Sequence, residues 1–264
     1  MKLNLANKTD LIFYGYHGQV EENDNFIIVK TVRNPKSYLG NQLIFQGTNS
    51  DLDINAWKNL YIEKFKDIPQ VKHLTLNYEG ERDYEEIAEL AAKAGCKSAE
   101  RVILKTAINE FEKRESGEIE ILIASTDEDW NELALRASAS TGDNLTASHQ
   151  YFVDHFKIQE QMQKEGLSSW FLGKKDNRVV TSLGLMFLRA EGIGRYQAVS
   201  TNKDERGKGY ASALLYAAAQ SAHQRFEISE FVLVTDEDHP EALRLYKNLG
   251  FRDAGKQILI YLWN

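Results

Sequence analysis

The residues whose types and spacing are best suited to chemistry run from Val199 to Ser212: Val199-Ser200-Thr201-Asn202-Lys203-Asp204-Glu205-Arg206-Gly207-Lys208-Gly209-Tyr210-Ala211-Ser212. A strand-like piece ends here in a polar loop with two glycines. A helix pattern begins at once, with Ala211, Leu214, Leu215, Ala218, Ala219 and Ala222 on one face. The first amides of a helix have no partner within it, and the macrodipole favours negative charge at that end. A phosphate or pyrophosphate is the natural occupant of such a junction. Gly207 and Gly209 let the main chain approach a ligand closely, and Arg206 and Lys208 add positive charge.

The elements that must position this loop read as a continuous α/β unit. Glu118–Ala124 is strand-like, Ser125-Thr126-Asp127-Glu128 has the acidic first turn of a helix, and a helix follows over Trp130–Ala137. A polar loop (Ser138–Thr146) leads to a second helix near His149–Lys164. Ser168–Lys174 and Val179–Leu188 pattern as a hairpin turning at Lys175-Asp176-Asn177. After Arg195–Thr201, the glycine loop and a helix to about Arg225, Ile228–Thr235 is a strand. Pro240 stands at the first position of a helix that stops at Leu249-Gly250, and Lys256–Trp263 is the last strand.

The N-terminal part shows a shorter version of the same order: strands at Phe26–Val32 and Asn41–Gln46, a helix at Asp53–Lys66, a strand at Val71–Asn77, a helix at Tyr84–Ala94 and a strand at Ala99–Ala107. Leu90-Ala91-Ala92-Lys93-Ala94-Gly95-Cys96 parallels Leu245-Tyr246-Lys247-Asn248-Leu249-Gly250-Phe251, each a helix stopped by glycine and followed by an apolar strand. This reads as a diverged structural repeat, with Cys96 packing where Phe251 does. Glu112-Lys113-Arg114-Glu115-Ser116-Gly117 suits a linker, which divides the chain into domains 1–115 and 117–264.

Bulk properties narrow the function. The 264 residues carry a net charge of −7, which argues against general nucleic-acid affinity. No apolar run reaches the roughly 18–20 residues of a membrane span. The N-terminus has no apolar core of a secretion signal, so a cytoplasmic location is expected. A single cysteine, Cys96, excludes an internal disulfide, and the six histidines show no metal-ligand spacing, so no metal is expected. Nothing in the composition sets the oligomeric state.

Three phosphate-binding readings compete for the loop. The Walker spacing G-x-x-x-x-G-K-[ST] is absent, and Gly207, Gly209 and Ser212 miss the last small position of the dinucleotide fingerprint. The third is a coenzyme A pyrophosphate loop. Arg206-Gly207-Lys208-Gly209-Tyr210-Ala211 resembles the [Q/R]-x-x-G-x-[G/A] motif of the GNAT acetyltransferase superfamily. Ala242-Leu243-Arg244-Leu245-Tyr246-Lys247-Asn248-Leu249-Gly250-Phe251 resembles its A-x-x-L-Y-x-x-x-G-F segment. The interval between them leaves room for one helix and one strand, as that fold requires. The resemblance covers roughly 117–264.

What this resemblance implies is an α/β fold of tandem GNAT-like domains, each a mixed central sheet flanked by helices. It implies acetyl-CoA as co-substrate, held by Val199, Thr201, Arg206, Gly207, Lys208, Gly209, Tyr210, Ala211 and Ser212. The strand edge at Val199–Thr201 would pair with the pantetheine amides, and an N–H near Val199 would serve as oxyanion donor. An amine attacks the thioester directly, and Tyr246 matches the position that often supplies a proton or hydrogen bond to the leaving thiolate. Tyr246 also fits an apolar packing face with Ala242, Leu245 and Leu249. Glu191, Gln197 and Asp236 are possible contributors to amine deprotonation, and no spacing selects one. The family's usual polar residue three before Ala242 is His239 here, open to three readings: a different contact to the cofactor, a part in proton traffic, or a simple helix-start residue before Pro240. Lys203 replaces a frequent proline.

The N-terminal counterpart of the loop, Gln46-Gly47-Thr48-Asn49-Ser50-Asp51-Leu52-Asp53, offers one glycine and two acids where an anion should bind. Carboxylates there repel phosphate. The expectation is a degenerate first domain without a pyrophosphate loop and an active second one, an N-acetyltransferase acting on a primary amine, with a small molecule favoured as acceptor. A non-catalytic acyl-CoA sensor and an O-acyltransferase are the alternatives.

Overall fold

The computed structural model describes residues 3–46, 53–80, 82–139 and 145–263. In chain order the elements are α1 (Leu5–His17), β1 (Gln19–Glu22), β2 (Phe26–Lys30), β3 (Asn41–Gln46), α2 (Ile54–Phe65), β4 (Leu74–Glu79), α3 (Tyr84–Lys93), β5 (Lys97–Ala107), β6 (Glu120–Ile123), α4 (Asp127–Ala139), α5 (Leu145–Lys164), β7 (Ser168–Lys175), β8 (Arg178–Leu188), β9 (Ile193–Thr201), α6 (Tyr210–Phe226), β10 (Glu230–Asp236), α7 (Pro240–Lys247) and β11 (Arg252–Leu262). Two compact units result. The first contains residues 1–103, 234–240 and 253–264, and the second contains 104–233 and 241–252.

In the first unit the strands run in the order β1-β2-β3-β4-β11-β5. Strands β3 and β4 are parallel, whereas β1–β2, β2–β3 and β4–β11 are antiparallel, so the sheet is mixed. Alternation along the strands decides which side each residue serves. Ile28, Leu43, Phe45, Leu76 and Tyr78 pack with Tyr61 and Phe65 of α2 and Ile87 and Ala91 of α3. Ile27, Val29 and Ile44 point the other way, toward Leu11 and Tyr14 of α1. The C-terminal strand β11 belongs to this unit, pairing Ile258–Leu262 with Tyr78–Leu74.

The helix α1 and strand β1 escape the sequence reading. The buried residues of α1 are Ala6, Asn7, Thr9, Asp10 and Phe13, so its inward stripe is largely polar and gives no apolar period. It is held by amides. The Asn7 Oδ1 accepts from Asn77 Nδ2 at 2.6 Å and from Gln257 Nε2 at 2.8 Å.

In the second unit the order is β10-β9-β8-β7-β6, with β9–β10 parallel and the rest antiparallel. Nearly every residue of β8 is buried because both faces are covered. Val180 packs with Tyr210 and Ala213 of α6, while Val179 joins Trp130, Leu133, Phe156 and Trp170 under α4 and α5. The hairpin turn falls at Asp176 and Asn177, both left-handed. The segment read as a linker starts within this unit's core: the Glu112 N–H donates to the Leu249 carbonyl at 3.1 Å, and Phe111 packs edge-on against Phe231 and Phe251.

The paired helix stops share one geometry. Gly95 and Gly250 are left-handed (φ 71° and 94°), with Gly95 N–H bonded to Ala92 and Gly250 N–H to Lys247. The next amides, Cys96 and Phe251, reach back to Ala91 and Tyr246. That is the glycine-terminated stop in both cases, and Cys96 and Phe251 are both buried. Gly250 is further constrained because a Cβ there would sit 2.3 Å from the Glu110 carbonyl oxygen. Gly250→Ala therefore combines left-handed strain with a backbone clash. It is expected to cost about 2 kcal/mol or more, read as a fall of several degrees in the melting temperature by calorimetry.

Candidate functional site

The site grows from the end of β9. Its ladder with β10 runs Ile193↔Glu230, Gly194↔Phe231 and Arg195↔Val232, while β9 continues to Thr201 against β8. On the β8 side the register jumps: Ser182 faces Ser200 and Gly184 faces Gln197, so Ala198 and Val199 together oppose Leu183. Ala198 has φ +48°, a left-handed conformation that a residue with a Cβ seldom adopts. This is a β-bulge, a device that re-aims backbone groups beside functional sites. The sequence reading placed Val199 here without seeing the bulge, because Gln197-Ala198-Val199 carries no glycine to announce it.

The chain then passes through a short 3-10 turn (Lys203–Glu205) to Gly207 and Gly209, with φ of 78° and 81°. A Cβ at either would meet nothing within 4 Å, so glycine is required by conformation and the space in front of the loop is open. Gly209 is the N-cap of α6 and supplies no side-chain cap bond to it. The N–H groups of Tyr210, Ala211 and Ser212 lie in the uncapped first turn.

Around this loop the side chains are tethered. Glu205 is buried and accepts from Arg178 Nη2 at 2.7 Å and Lys208 Nζ at 2.8 Å. Lys208 holds its carboxyl below the usual range. The Arg206 Nε donates to the Thr201 carbonyl at 3.3 Å, and the Thr201 hydroxyl meets that of Thr181 at 3.0 Å. Tyr210 is a core residue: its hydroxyl bonds Glu118 and Lys175, and its ring packs with Val180 and Ala213. What Tyr210 offers a ligand is its backbone amide. Lys208, though exposed, pairs with the buried Glu205.

Arg136 of α4 was not singled out in the sequence. It donates to the Val179 carbonyl at 3.1 Å, Ser182 Oγ at 3.2 Å and Asn202 Oδ1 at 2.7 Å, joining the bulged strands to the start of the loop. Burial lowers its pKa, a sign of how far the guanidinium is withdrawn from water. An arginine inside a helix has no local signature, so only the tertiary contacts reveal it.

Tyr246 of α7 is buried, packs on Phe251, and lies near enough to Arg195 of β9 to feel its charge. Desolvation pushes its phenol up to about 12, and Arg195 opposes part of that rise. Both sequence readings of Tyr246, packing residue and proton-bearing group, are compatible with this burial. Of the possible bases, Glu191 precedes β9 and is separated from Val199 by most of the strand, roughly 20 Å at about 3.3 Å per residue. Gln197 is half-buried beside the bulge. Asp236 belongs to the first unit and accepts from Arg101 Nε at 3.2 Å. His239 is exposed, with ring nitrogens 4.0 Å from Asp236 and 3.7 Å from Asp238. Among the described residues these three form the one group of three whose potential metal-ligating atoms lie within 4.8 Å of one another. The loop Gly47–Leu52, read as the degenerate counterpart, lies outside the described residues.

Replacing Arg136 with methionine removes four bonds to a charged donor, to Val179, Ser182, Asn202 and Ser200, while keeping much of the side-chain length. Coenzyme A affinity, measured by titration calorimetry, is expected to fall about ten-fold with the fold retained.

The Acetyltransferase (GNAT) family model matches residues 138–251. No curated protein matches the sequence. Among solved structures, a conserved protein of unknown function from Staphylococcus epidermidis superposes with TM-score 0.70 at 14% identity, covering 94% of each chain. A GCN5-related N-acetyltransferase from Kribbella flavida gives 0.68 at 12%, covering 98% of this chain and 96% of its own. A tandem GNAT protein from the clavulanic acid biosynthesis pathway gives 0.56 at 12%, covering 79% and 69%. These similarities establish the fold. No helix among the described residues is long and apolar enough to cross a membrane. The bulged strand and the glycine-led start of α6 fall within the family match, so residues 138–251 are the part of this chain that resembles the Acetyltransferase (GNAT) family.

Proposed function

We propose that the second unit is an acetyl-CoA-dependent N-acetyltransferase acting on a primary amine, with a small molecule as acceptor. The observation that carries this reading is the pairing of the left-handed bulge at Ala198 with a helix whose first turn has no side-chain cap. The first re-aims an N–H near a reacting carbonyl, and the second leaves amides open to a pyrophosphate.

The residues fit the co-substrate. The open space before Gly207 and Gly209 leaves room for a phosphate group against the main chain. The amides from Gly207 to Ser212 would hold the pyrophosphate, and β9 beyond Arg195 would offer its edge to the pantetheine amides. When bound, acetyl-CoA supplies a thioester-activated acetyl group. The Val199 N–H would donate to the oxygen on which charge develops. Tyr246 would hold a proton on its hydroxyl toward the departing sulfur.

The pKa of Tyr246 refines that role. Passing a proton from a phenol near 12 to a thiolate whose own pKa is about 8.5 is uphill by about 5 kcal/mol. Tyr246 therefore acts as a hydrogen-bond donor to the developing thiolate, and it stays protonated throughout the neutral range. Losing such a bond costs about 1.5–3 kcal/mol, or roughly 10- to 100-fold in rate. Tyr246→Phe should lower kcat by that factor with KM and coenzyme A affinity nearly unchanged. The shape of the pH–rate profile should also persist, because the phenol does not titrate below about pH 10. Unchanged turnover in this variant would remove Tyr246 from the chemistry, and loss of an alkaline limb would show a lower phenol pKa than burial gives.

The first unit offers a contrast. The N-terminus of α2 is capped by Asp53, whose Oδ1 accepts from the Asn55 and Ala56 amides at 2.9 and 3.1 Å. A carboxylate already occupies the amides that an anion would need. This supports a degenerate GNAT-like first domain without coenzyme A affinity. Calorimetry should return one coenzyme A site per chain, and a second site of similar affinity would refute it.

A further inference from the structure

A groove of about 400 Å³ lies in the second unit between α6 and the irregular segment 114–116. Its helix wall is one stripe of α6, from Ala213 through Tyr216, Ala217, Gln220 and Gln224 to Arg225, the spacing that puts residues on a single face. At about 1.5 Å per residue the stripe is about 18 Å long. That length matches about five or six residues of extended peptide at roughly 3.3 Å each. The floor is apolar: Ala213 is buried, and Tyr216, Ala217 and Ile121 are half-buried. Phe111 meets the Tyr216 ring edge-on at 5.9 Å and fixes it as a wall.

The charge of the groove is opposite to that of the chain. Arg101 and Arg178 pair with carboxylates, Asp236 and Glu205. Arg114 and Arg225 meet none among the described residues. Arg114 Nη1 reaches only the Lys113 carbonyl at 3.3 Å, and the Arg225 guanidinium lies 5.0 Å from the centre of the Phe226 ring. The acid in the lining, Glu115, is taken by Lys113 at 2.9 Å. Two guanidiniums are thus left to face an anion in a protein of net charge −7.

Main-chain and amide groups give an independent observation. The N–H groups of Arg114, Glu115 and Ser116 make no hydrogen bond among the described residues, and neither do the side-chain amides of Gln220 and Gln224. On α5, by contrast, Gln150, Gln161 and Gln163 all find partners. A row of open main-chain donors across from a ladder of side-chain amides is suited to another main chain. A bare phosphate would leave the apolar floor unused, and two cations are too few for general nucleic-acid affinity. We propose that this groove docks an extended acidic segment of a partner protein. Its carboxylates pair with Arg114 and Arg225, its main chain lies against 114–116 and the two glutamines, and an apolar side chain rests on Tyr216 and Ala217. The groove is built without the amides at the start of α6, so its existence does not depend on the acetyl-transfer reading.

The test is fluorescence anisotropy of the full chain with a fluorescein-labelled peptide, Glu-Leu-Glu-Asp-Leu-Glu. Its counterpart with Gln and Asn in place of the acids and a hexathymidylate of similar charge are the controls, at one ionic strength. Saturable one-to-one binding of the acidic peptide is expected, with both controls at least ten-fold weaker. Arg114 and Arg225 are exposed, so Arg114→Gln and Arg225→Gln should leave the melting temperature unchanged and each weaken the peptide at least five-fold. Ala217→Glu, which puts a carboxylate on the floor, should abolish binding. Lys157→Gln removes the same charge from the exposed face of α5 and should change nothing. Four outcomes would each overturn the proposal: no saturable binding, an equal loss in Lys157→Gln, tighter binding of the oligonucleotide, or binding that inorganic pyrophosphate displaces and neither arginine variant weakens.

Discussion

Backbone N–H groups at the start of α6 have no partner within their own helix, and Gly209 brings none from a side chain. The second unit is arranged around keeping those amides open and correctly placed. Arg178 and Lys208 converge on Glu205 to pin the turn before the glycines. Arg136 fixes Asn202 to β8, and Tyr210 drives the first turn of α6 into the core through Glu118 and Lys175. The charges near the loop thus serve mainly to hold backbone. In the proposed function a pyrophosphate would meet amides whose positions are set in advance, which would limit the ordering entropy lost on binding.

The bulge at Ala198 is the second constraint, and it has the same character. A left-handed alanine costs of order 1–3 kcal/mol and persists because the neighbouring ladder is firm. On one side Thr181 and Arg136 tie Ser200, Thr201 and Asn202 to β8. On the other, the β9–β10 ladder holds Ile193–Arg195. Between these anchors the strand is free to turn its amides away from the sheet. Tyr246 and Arg195 then add a phenol and a cation in a buried setting, where low dielectric strengthens both.

The two units show how one plan diverges. Their helix stops at Gly95 and Gly250 share a pair of backbone bonds, and each unit has a parallel strand pair followed by a helix. Where α6 begins with glycine, α2 begins with Asp53, and a single capping carboxylate reverses the electrostatic preference of the helix start. Strand β11 comes from the far end of the chain to sit between β4 and β5, so the first unit's sheet is not built from consecutive sequence.

The sequence by itself determined the parts whose physics is local. Glycines at 207, 209, 95 and 250 mark left-handed backbone, Pro240 and the α6 periodicity mark helices, and the hairpin at Asp176-Asn177 follows from turn chemistry. Those signals carried the resemblance to the GNAT family, whose model matches residues 138–251, and marked the glycine loop before α6. Helix α1 stayed hidden because Asn7, Thr9 and Asp10 of its inward face are polar, and Asn7 is met there by the buried amides of Asn77 and Gln257. The bulge at Ala198, the clamp from Arg136, the inward turn of Tyr210 and the placing of β11 in the first unit were decided by tertiary structure. Each depends on partners on other elements of the fold, and no pattern within a strand or helix encodes a distant partner's position.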